Sequence, residues 1–133
     1  MILVTGGAGF IGANFVLNWL AQSQEPVINF DKITYAGNLN NLSTLQNDSR
    51  HIFVQGDIND GKKISDLLAK YRPRAILHFA AESHVDRSIH GPADFVATNI
   101  NGTFMLLEAS RAYWQALSDA DQTAFRFLHV STD

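Results

Sequence analysis

The chain has 133 residues, of which 46% are hydrophobic and none is cysteine, and a formal net charge of −3 at pH 7. This is one domain or part of one, with enough apolar residues for a core. The acidic balance argues against a general nucleic-acid or anionic-membrane binder, the missing cysteine excludes a disulfide framework and a thiolate metal site, and no apolar run reaches the roughly 18 residues of a membrane span. The five histidines, at 51, 78, 84, 90 and 129, lack the HExxH pattern of a zinc helix, so no metal site is expected. MILV leads directly into the first motif with no basic leader or cleavage site, and a cytoplasmic protein is expected.

In chain order, Met1–Thr5 is a short apolar run ending at glycine and reads as a buried strand. Phe10–Ala21 carries Ile11, Phe15, Trp19 and Leu20 at helical spacing, and Pro26 closes that region. Val27–Phe30 is a second buried strand, ending at Asp31. Residues 34–50 are polar and turn-rich, with a short helix through Leu39, Leu42 and Leu45. His51–Gln55 is a third strand, followed by Gly56-Asp57. Asp60–Tyr71 reads as a helix with Ile64, Leu67, Leu68 and Tyr71 on one face, stopped by Pro73. Arg74–Ala81 is a fourth strand, a long helix runs from Ala93 to Gln115 after Gly91-Pro92, and Phe125–Val130 is a fifth strand. The alternation βαβαβαβαβ predicts an α/β fold, a Rossmann-type doubly wound parallel sheet with helices on both faces. The expected strand order is 3-2-1-4-5, reversing between strands one and four.

The stretch TGGAGFIG, residues 5–12, sits between the first strand and the first helix, with Gly6, Gly9 and Gly12 at spacing three. Ligands of doubly wound sheets bind beyond the carboxyl ends of the strands, at the switch point. Unpaired N–H groups at a helix start suit a diphosphate, and a side chain there would hold the phosphates away. Gly6 permits the tight turn, Gly9 the close approach and Gly12 the packing of helix on strand. Asp31 lies 19 residues beyond Gly12, where a carboxylate accepts hydrogen bonds from an adenosine ribose. Its charge repels a 2′-phosphate, so NAD is expected over NADP, with the adjacent Lys32 weakening that preference. Asp57, after strand three, reads equally as a partner of the adenine amino group or as a turn or N-cap aspartate.

The glycine spacing G-x-x-G-x-x-G resembles the extended branch of the short-chain dehydrogenase/reductase superfamily. DKITYAGNLNNL (31–42), HFAAESHVDRSI (78–89), GPADFVATNINGT (91–103) and FRFLHVSTD (125–133) narrow the resemblance to the dTDP-glucose 4,6-dehydratases, across the whole chain. The resemblance implies that Phe10 and Ile11 present backbone N–H groups to the pyrophosphate. Asp31, Lys32, Ile33 and Thr34 would hold the adenosine ribose, and Asp57 and Ile58 the adenine. Phe79, Ala80, Ala81, Glu82 and Ser83 would run along the cofactor, with Thr98 beside its pyrophosphate or ribose. Ser83, His84 and Thr132 would meet the substrate, Thr132 near the 4-hydroxyl, and Asp133 would protonate the departing 6-hydroxyl. The implied reaction oxidises C4 of the sugar with NAD, eliminates water across C5–C6, and returns the hydride to C6.

Relatives continue past STD with a glutamate and later a Tyr-x-x-x-Lys pair. Here the positions four after Tyr35, Tyr71 and Tyr113 are Leu39, Ala75 and Leu117. The expectation is therefore an N-terminal portion, 1–133, of an NAD-binding Rossmann domain, without the later strands and substrate domain and inactive alone. Its partners would be the nucleotide sugar dTDP-glucose and, as a homodimer, a second copy. The fifth strand would be an open sheet edge, and Phe95, Phe104, Leu107 and Trp114 an exposed apolar surface. Two alternatives stand: another nucleotide-sugar epimerase or dehydratase, and a non-catalytic NAD-binding module. Ser83, His84 and Asp86 crowd into four residues without a nucleophile elbow, against a hydrolase triad. Asn99 is expected as a buried amide fixing a neighbouring loop, His78 and His129 as core or semi-buried residues, and Trp19 and Trp114 as packing.

Overall fold

A computed structural model describes residues 1–34, 37–83, 89 and 91–131. Its first strand, β1 (Ile2–Thr5), is buried at every position, because in a central parallel strand both faces meet helices. It pairs in parallel with β2 (Val27–Asp31) and with β4 (Ala75–His78). β3 (His51–Gln55) lies outside β2, and β5 (Arg126–His129) outside β4. The order is β3-β2-β1-β4-β5, as the alternation of elements predicts.

Successive residues of a strand point to opposite faces, which divides the core in two. On one face, Ile2, Val4, Val27 and Ala75 pack against Ala13, Val16 and Leu20 of α1 (Phe10–Gln22) and against Leu42 and Leu45 of the 3-10 turn Leu39–Leu45. On the other, Leu3, Ile28, Phe30 and Ile76 meet Ile64, Leu67 and Leu68 of α2 (Gly61–Tyr71) and Leu106 and Ala109 of a later helix. Asp60 caps α2 by accepting from the Lys63 amide at 3.0 Å, so the helix starts at Gly61, one residue later than predicted. At the amino ends of the three central strands, Glu25 takes the chain's amino terminus at 2.9 Å and the Arg74 guanidinium at 2.7 Å through each oxygen.

Strand four ends at His78, three residues short of the prediction. Its neighbour β1 stops at Thr5, and after the Phe79 amide donates to the Thr5 carbonyl at 2.9 Å the chain has no strand left to pair with. The long helix is helical throughout 92–115, but in three windings: α3 (Pro92–Phe95), a π-helical segment (Val96–Gly102) and α4 (Thr103–Gln115). A short helix, α5 (Asp119–Ala124), was not predicted. Its signal was present in Ser118 and Asp121: the Ser118 hydroxyl accepts from the Asp121 amide at 3.3 Å and donates to its carboxylate at 2.9 Å. His129 is exposed, against expectation, and Trp114 is exposed, as expected of the apolar surface and unlike a packing residue. β5 is an edge strand, and Trp114 reaches over to donate to the Gln122 carbonyl of α5 at 3.0 Å.

His78 is the polar residue that joins the layers. It is fully buried, with Nδ1 at 2.7 Å from the Thr5 hydroxyl and Nε2 at 3.0 Å from the Thr103 hydroxyl of α4. Burial, aided by the His129 ring beside it, pushes its pKa down to about 4 from an ordinary 6.5. The unfolded chain takes up this proton first, so the residue's contribution is complete above pH 6.5 and is lost as pH falls towards 4. Urea midpoints measured across that range should fall more for the wild type than for His78→Gln, by the equivalent of up to about 3 kcal/mol. An identical slope in the two proteins contradicts this account.

Candidate functional site

The carboxyl ends of β1, β2 and β4 open into a crevice. Its floor is the turn after β1. Gly6 has φ +73°, and a Cβ there would lie 2.5 Å from the Ala80 nitrogen. The turn is thus backbone against backbone with the chain after β4. The Gly9 amide closes it on the Gly6 carbonyl at 3.2 Å. Gly12 lets α1 sit down on the turn, since a Cβ there would come within 2.2 Å of the Gly6 oxygen. α1 then begins with no side-chain cap and no acid in its first turn. Its opening amides carry the partial positive charge of a helix start, while the Phe10 and Ile11 side chains stand out in solvent.

Asp31, at the end of β2, faces the crevice. Its Oδ2 accepts from the Ala8 amide at 2.8 Å and its Oδ1 from the Ile33 amide at 2.7 Å. The second bond supports an unfavourable conformation, because Ile33 has φ +54°, a region that a β-branched residue enters only at a cost of about 1–3 kcal/mol. Lys32 crosses to β3 and pairs with Asp57 at 2.6 Å. Asp57 also accepts from the Asn59 amide at 2.9 Å, so it is both a turn aspartate and a crevice residue. Burial opposes its charge, but Lys32 and Asn59 outweigh burial and hold its carboxyl below the usual range. The same pair raises the Lys32 pKa against burial.

The chain after β4 is held from above. The Asn99 side chain, in the π-helical segment, accepts from the Glu82 amide at 2.8 Å and donates to the Glu82 carbonyl at 2.9 Å. It therefore fixes the neighbouring loop as expected, but from an exposed position, because its partner is the open backbone at the crevice rim. A π-wound turn at such a place is a recurrent feature of functional sites.

Of the predicted cofactor residues, Gly6, Gly9, Asp31, Lys32, Thr34, Asp57, Ile58, Phe79, Ala80, Ala81, Glu82 and Thr98 line the crevice together. Phe10, Ile11, Gly12, Ile33 and Ser83 do not. The first three form the start of α1, Ile33 gives its amide to Asp31, and Ser83 belongs to an adjoining hollow with Thr103, His129 and Ser131. His84, Thr132 and Asp133 lie outside the described residues. Phe30, Gly37 and Gly56 also line the crevice and were not predicted. Phe30 and Gly56 were legible, since one ends the second predicted strand and the other follows the third, and a Cβ on Gly56 would lie 2.3 Å from the Phe30 ring. Among the described residues, no group of three or more His, Asp or Glu could hold a metal ion, and no helix is long and apolar enough to cross a membrane.

The sequence resembles known proteins along its whole length. The model of the GDP-mannose 4,6 dehydratase family matches residues 3–133. A dTDP-glucose 4,6-dehydratase of Xanthomonas campestris is 60% identical over 131 residues, covering 98% of this chain and 37% of that protein. One from Escherichia coli is 56% identical over 132 residues, covering 99% of this chain and 36% of that protein. The crystal structure of dTDP-glucose 4,6-dehydratase from Bacillus anthracis in complex with NAD superposes with a TM-score of 0.81 at 39% identity, over 98% of this chain and 37% of that one. The chain thus spans little more than a third of the length of the relatives it matches. Fold, glycine turn and matched length agree: the chain belongs to the GDP-mannose 4,6 dehydratase family.

Proposed function

We propose that residues 1–133 are the N-terminal portion of the NAD-binding domain of a dTDP-glucose 4,6-dehydratase, which converts dTDP-glucose to dTDP-4-keto-6-deoxyglucose. The observation that carries this reading is the side-chain-free turn at Gly6, stacked on Ala80, with the Asp31 carboxylate facing the same crevice. Relatives that share 56% and 60% of the sequence bear that name, and a solved one holds NAD.

The residues fit the cofactor. The uncapped start of α1 at Phe10 and Ile11 takes the diphosphate on backbone amides. Asp31 keeps lone pairs for the adenosine ribose while its oxygens hold the Ala8 and Ile33 amides. Asp57 and Ile58 border the adenine end and Thr98 the middle of the crevice. When bound, NAD supplies a reversible hydride acceptor for the oxidation at C4 and the reduction at C6. The chain's own part is to orient that cofactor on the 79–83 segment splinted by Asn99. Ser83 and His84 would meet the sugar. Thr132 would hydrogen-bond its 4-hydroxyl, and Asp133 would give the proton with which the 6-hydroxyl leaves as water. The same reading puts the chain in the cytoplasm, with a nucleotide sugar as its small-molecule partner.

The specificity for NAD follows from charge. Lys32 is engaged by Asp57, which leaves the Asp31 carboxylate to meet, and repel, a 2′-phosphate. Calorimetric titration should show NAD binding at least about tenfold tighter than NADP. Asp31→Ala should weaken NAD by about tenfold or more and narrow the gap to NADP. Equal affinities in the wild type, or an unchanged NAD affinity in the variant, would overturn the assignment.

A second copy of the chain is the proposed partner of α4. One side of this helix packs on the core through Leu106 and Ala109, while Phe104, Leu107 and Trp114 on the other are 59%, 46% and 39% exposed. With Val96 and Ile100 they make an apolar stripe along the helical run. Phe95, expected in this surface, is half-buried beside the crevice and belongs to that wall instead. Sedimentation should show concentration-dependent dimers that Leu107→Glu abolishes without loss of helicity. A wild type that stays monomeric at high concentration would refute the homodimer.

A further inference from the structure

Asn29 stands in the middle of β2, between Val4 of β1 and Phe53 of β3, and is 0% exposed. Its Oδ1 is a buried side-chain oxygen without a hydrogen-bond partner, the one such polar atom among the described residues. An unpartnered amide oxygen in a core is costly, and a valine or leucine at this position would be ordinary. The cost is explained by the other end of the amide. Nδ2 lies 3.2 Å from the Gly7 carbonyl oxygen and 3.3 Å from His51 Nε2. A carbonyl can only accept, so the amide must turn its nitrogen to Gly7. Both of its N–H groups are then spent, and His51 Nε2 must be an acceptor, with the ring neutral and its proton on Nδ1. Gly7 has no freedom above this contact, since a Cβ there would lie 2.2 Å from Asn29 Oδ1.

The Gly7 carbonyl and the Ala8 N–H belong to one peptide unit. Asn29 holds its oxygen, and Asp31 holds its hydrogen at 2.8 Å. These two residues are alternate positions of β2 and so rise from the same face of the strand. We propose that Asn29 and Asp31 clamp the 7–8 peptide plane and so set the glycine turn for its diphosphate, with His51 as the positioning residue that fixes the Asn29 amide. The proposal rests on the dinucleotide reading of the crevice.

Protonated His51 would present an N–H to the N–H of Asn29. The amide would then lose that bond, or turn over and set its oxygen against the Gly7 oxygen, and the clamp would loosen either way. Burial lowers the His51 pKa from 6.5, against Asp48, which raises it. Asp48 is itself paired with Arg50 at 2.6 Å in the segment before β3. On the face of β2 beside the ring, Val27 and Asn29 are uncharged, and Asp31, further along the same face, is held by the Ala8 and Ile33 amides. The clamp should therefore be whole at neutral pH and loosen on acidification.

The full chain, labelled with 15N and without ligand, tests the clamp directly. His51 Nε2 should carry the shift of an unprotonated acceptor at about pH 7.5, and the Gly7 and Ala8 amide resonances should move with the His51 midpoint as pH falls to about 5.5. His51→Gln, whose amide oxygen can accept from Asn29, should keep those resonances in place and remove the pH step. His51→Phe should displace them at every pH. NAD titrations should follow the same pattern: the wild type weakens by about fivefold between these pH values, His51→Gln does not, and His51→Phe is weaker throughout. A protonated Nε2 near neutrality, or glycine-turn resonances indifferent to His51, overturns the clamp whatever NAD does. Resonances as expected with equal NAD affinity in all three proteins overturn its link to the diphosphate. Resonances as expected with no NAD binding in the wild type overturn the dinucleotide reading instead.

Discussion

The contact on which the site depends is one between main chains. Gly6 turns through a positive φ with its Cα against the Ala80 backbone. This lets the loop after β1 and the loop after β4 share one wall at the switch point of the sheet. A methyl group at that position would separate the loops and open the floor of the crevice. The strand order gives the two loops their neighbourhood, and the absent side chain gives them their contact. Everything that lines the crevice is arranged around this seam, with Asp31, Lys32 and Asp57 on the β2–β3 side and the segment after β4 on the other.

The surrounding polar groups are there to hold backbone. Asp31 holds the Ala8 and Ile33 amides, and Asn99 holds the backbone N–H and carbonyl of Glu82. Each replaces ladder bonds that the loops lack once β1 and β4 have ended. Loops fixed in this way keep a shaped crevice at strand ends where regular pairing has stopped. Lys32 and Asp57 differ, because they pair with each other across the crevice mouth. Their mutual neutralisation leaves Asp31 as the charge that a ligand entering beside β2 encounters.

The order of the strands was legible because their apolar runs are separated by helical spacing and punctuated by glycine and proline. Gly6 and Asp31 were legible because the motif ties them to a strand end each. Gly7 was not, since a three-residue spacing passes over it and its constraint comes from Asn29, 22 residues away. Asn29 itself sits inside a run that reads as a plain buried strand, and no local pattern announces an amide that serves a distant carbonyl. The early end of β4 was hidden for a related reason: residues 79–81 are as apolar as a strand, and only the end of β1 at Thr5 decides that they are not one. α5 was within reach of the capping rule, and its short length concealed it.

The π-wound turn at Val96–Gly102 has a consequence for how the long helix serves two masters. A π turn holds about one residue more than an α turn, and in an α-helix one residue is about 100° of rotation. The segment therefore acts as a phase shifter. Within it, Asn99 is in phase with the loop it braces; downstream, the helix is in phase with the sheet that Leu106 and Ala109 cover. Shortening the segment by a single residue would restore regular winding and put these two faces out of step, so that the rod could brace the loop or seal the core, but not both.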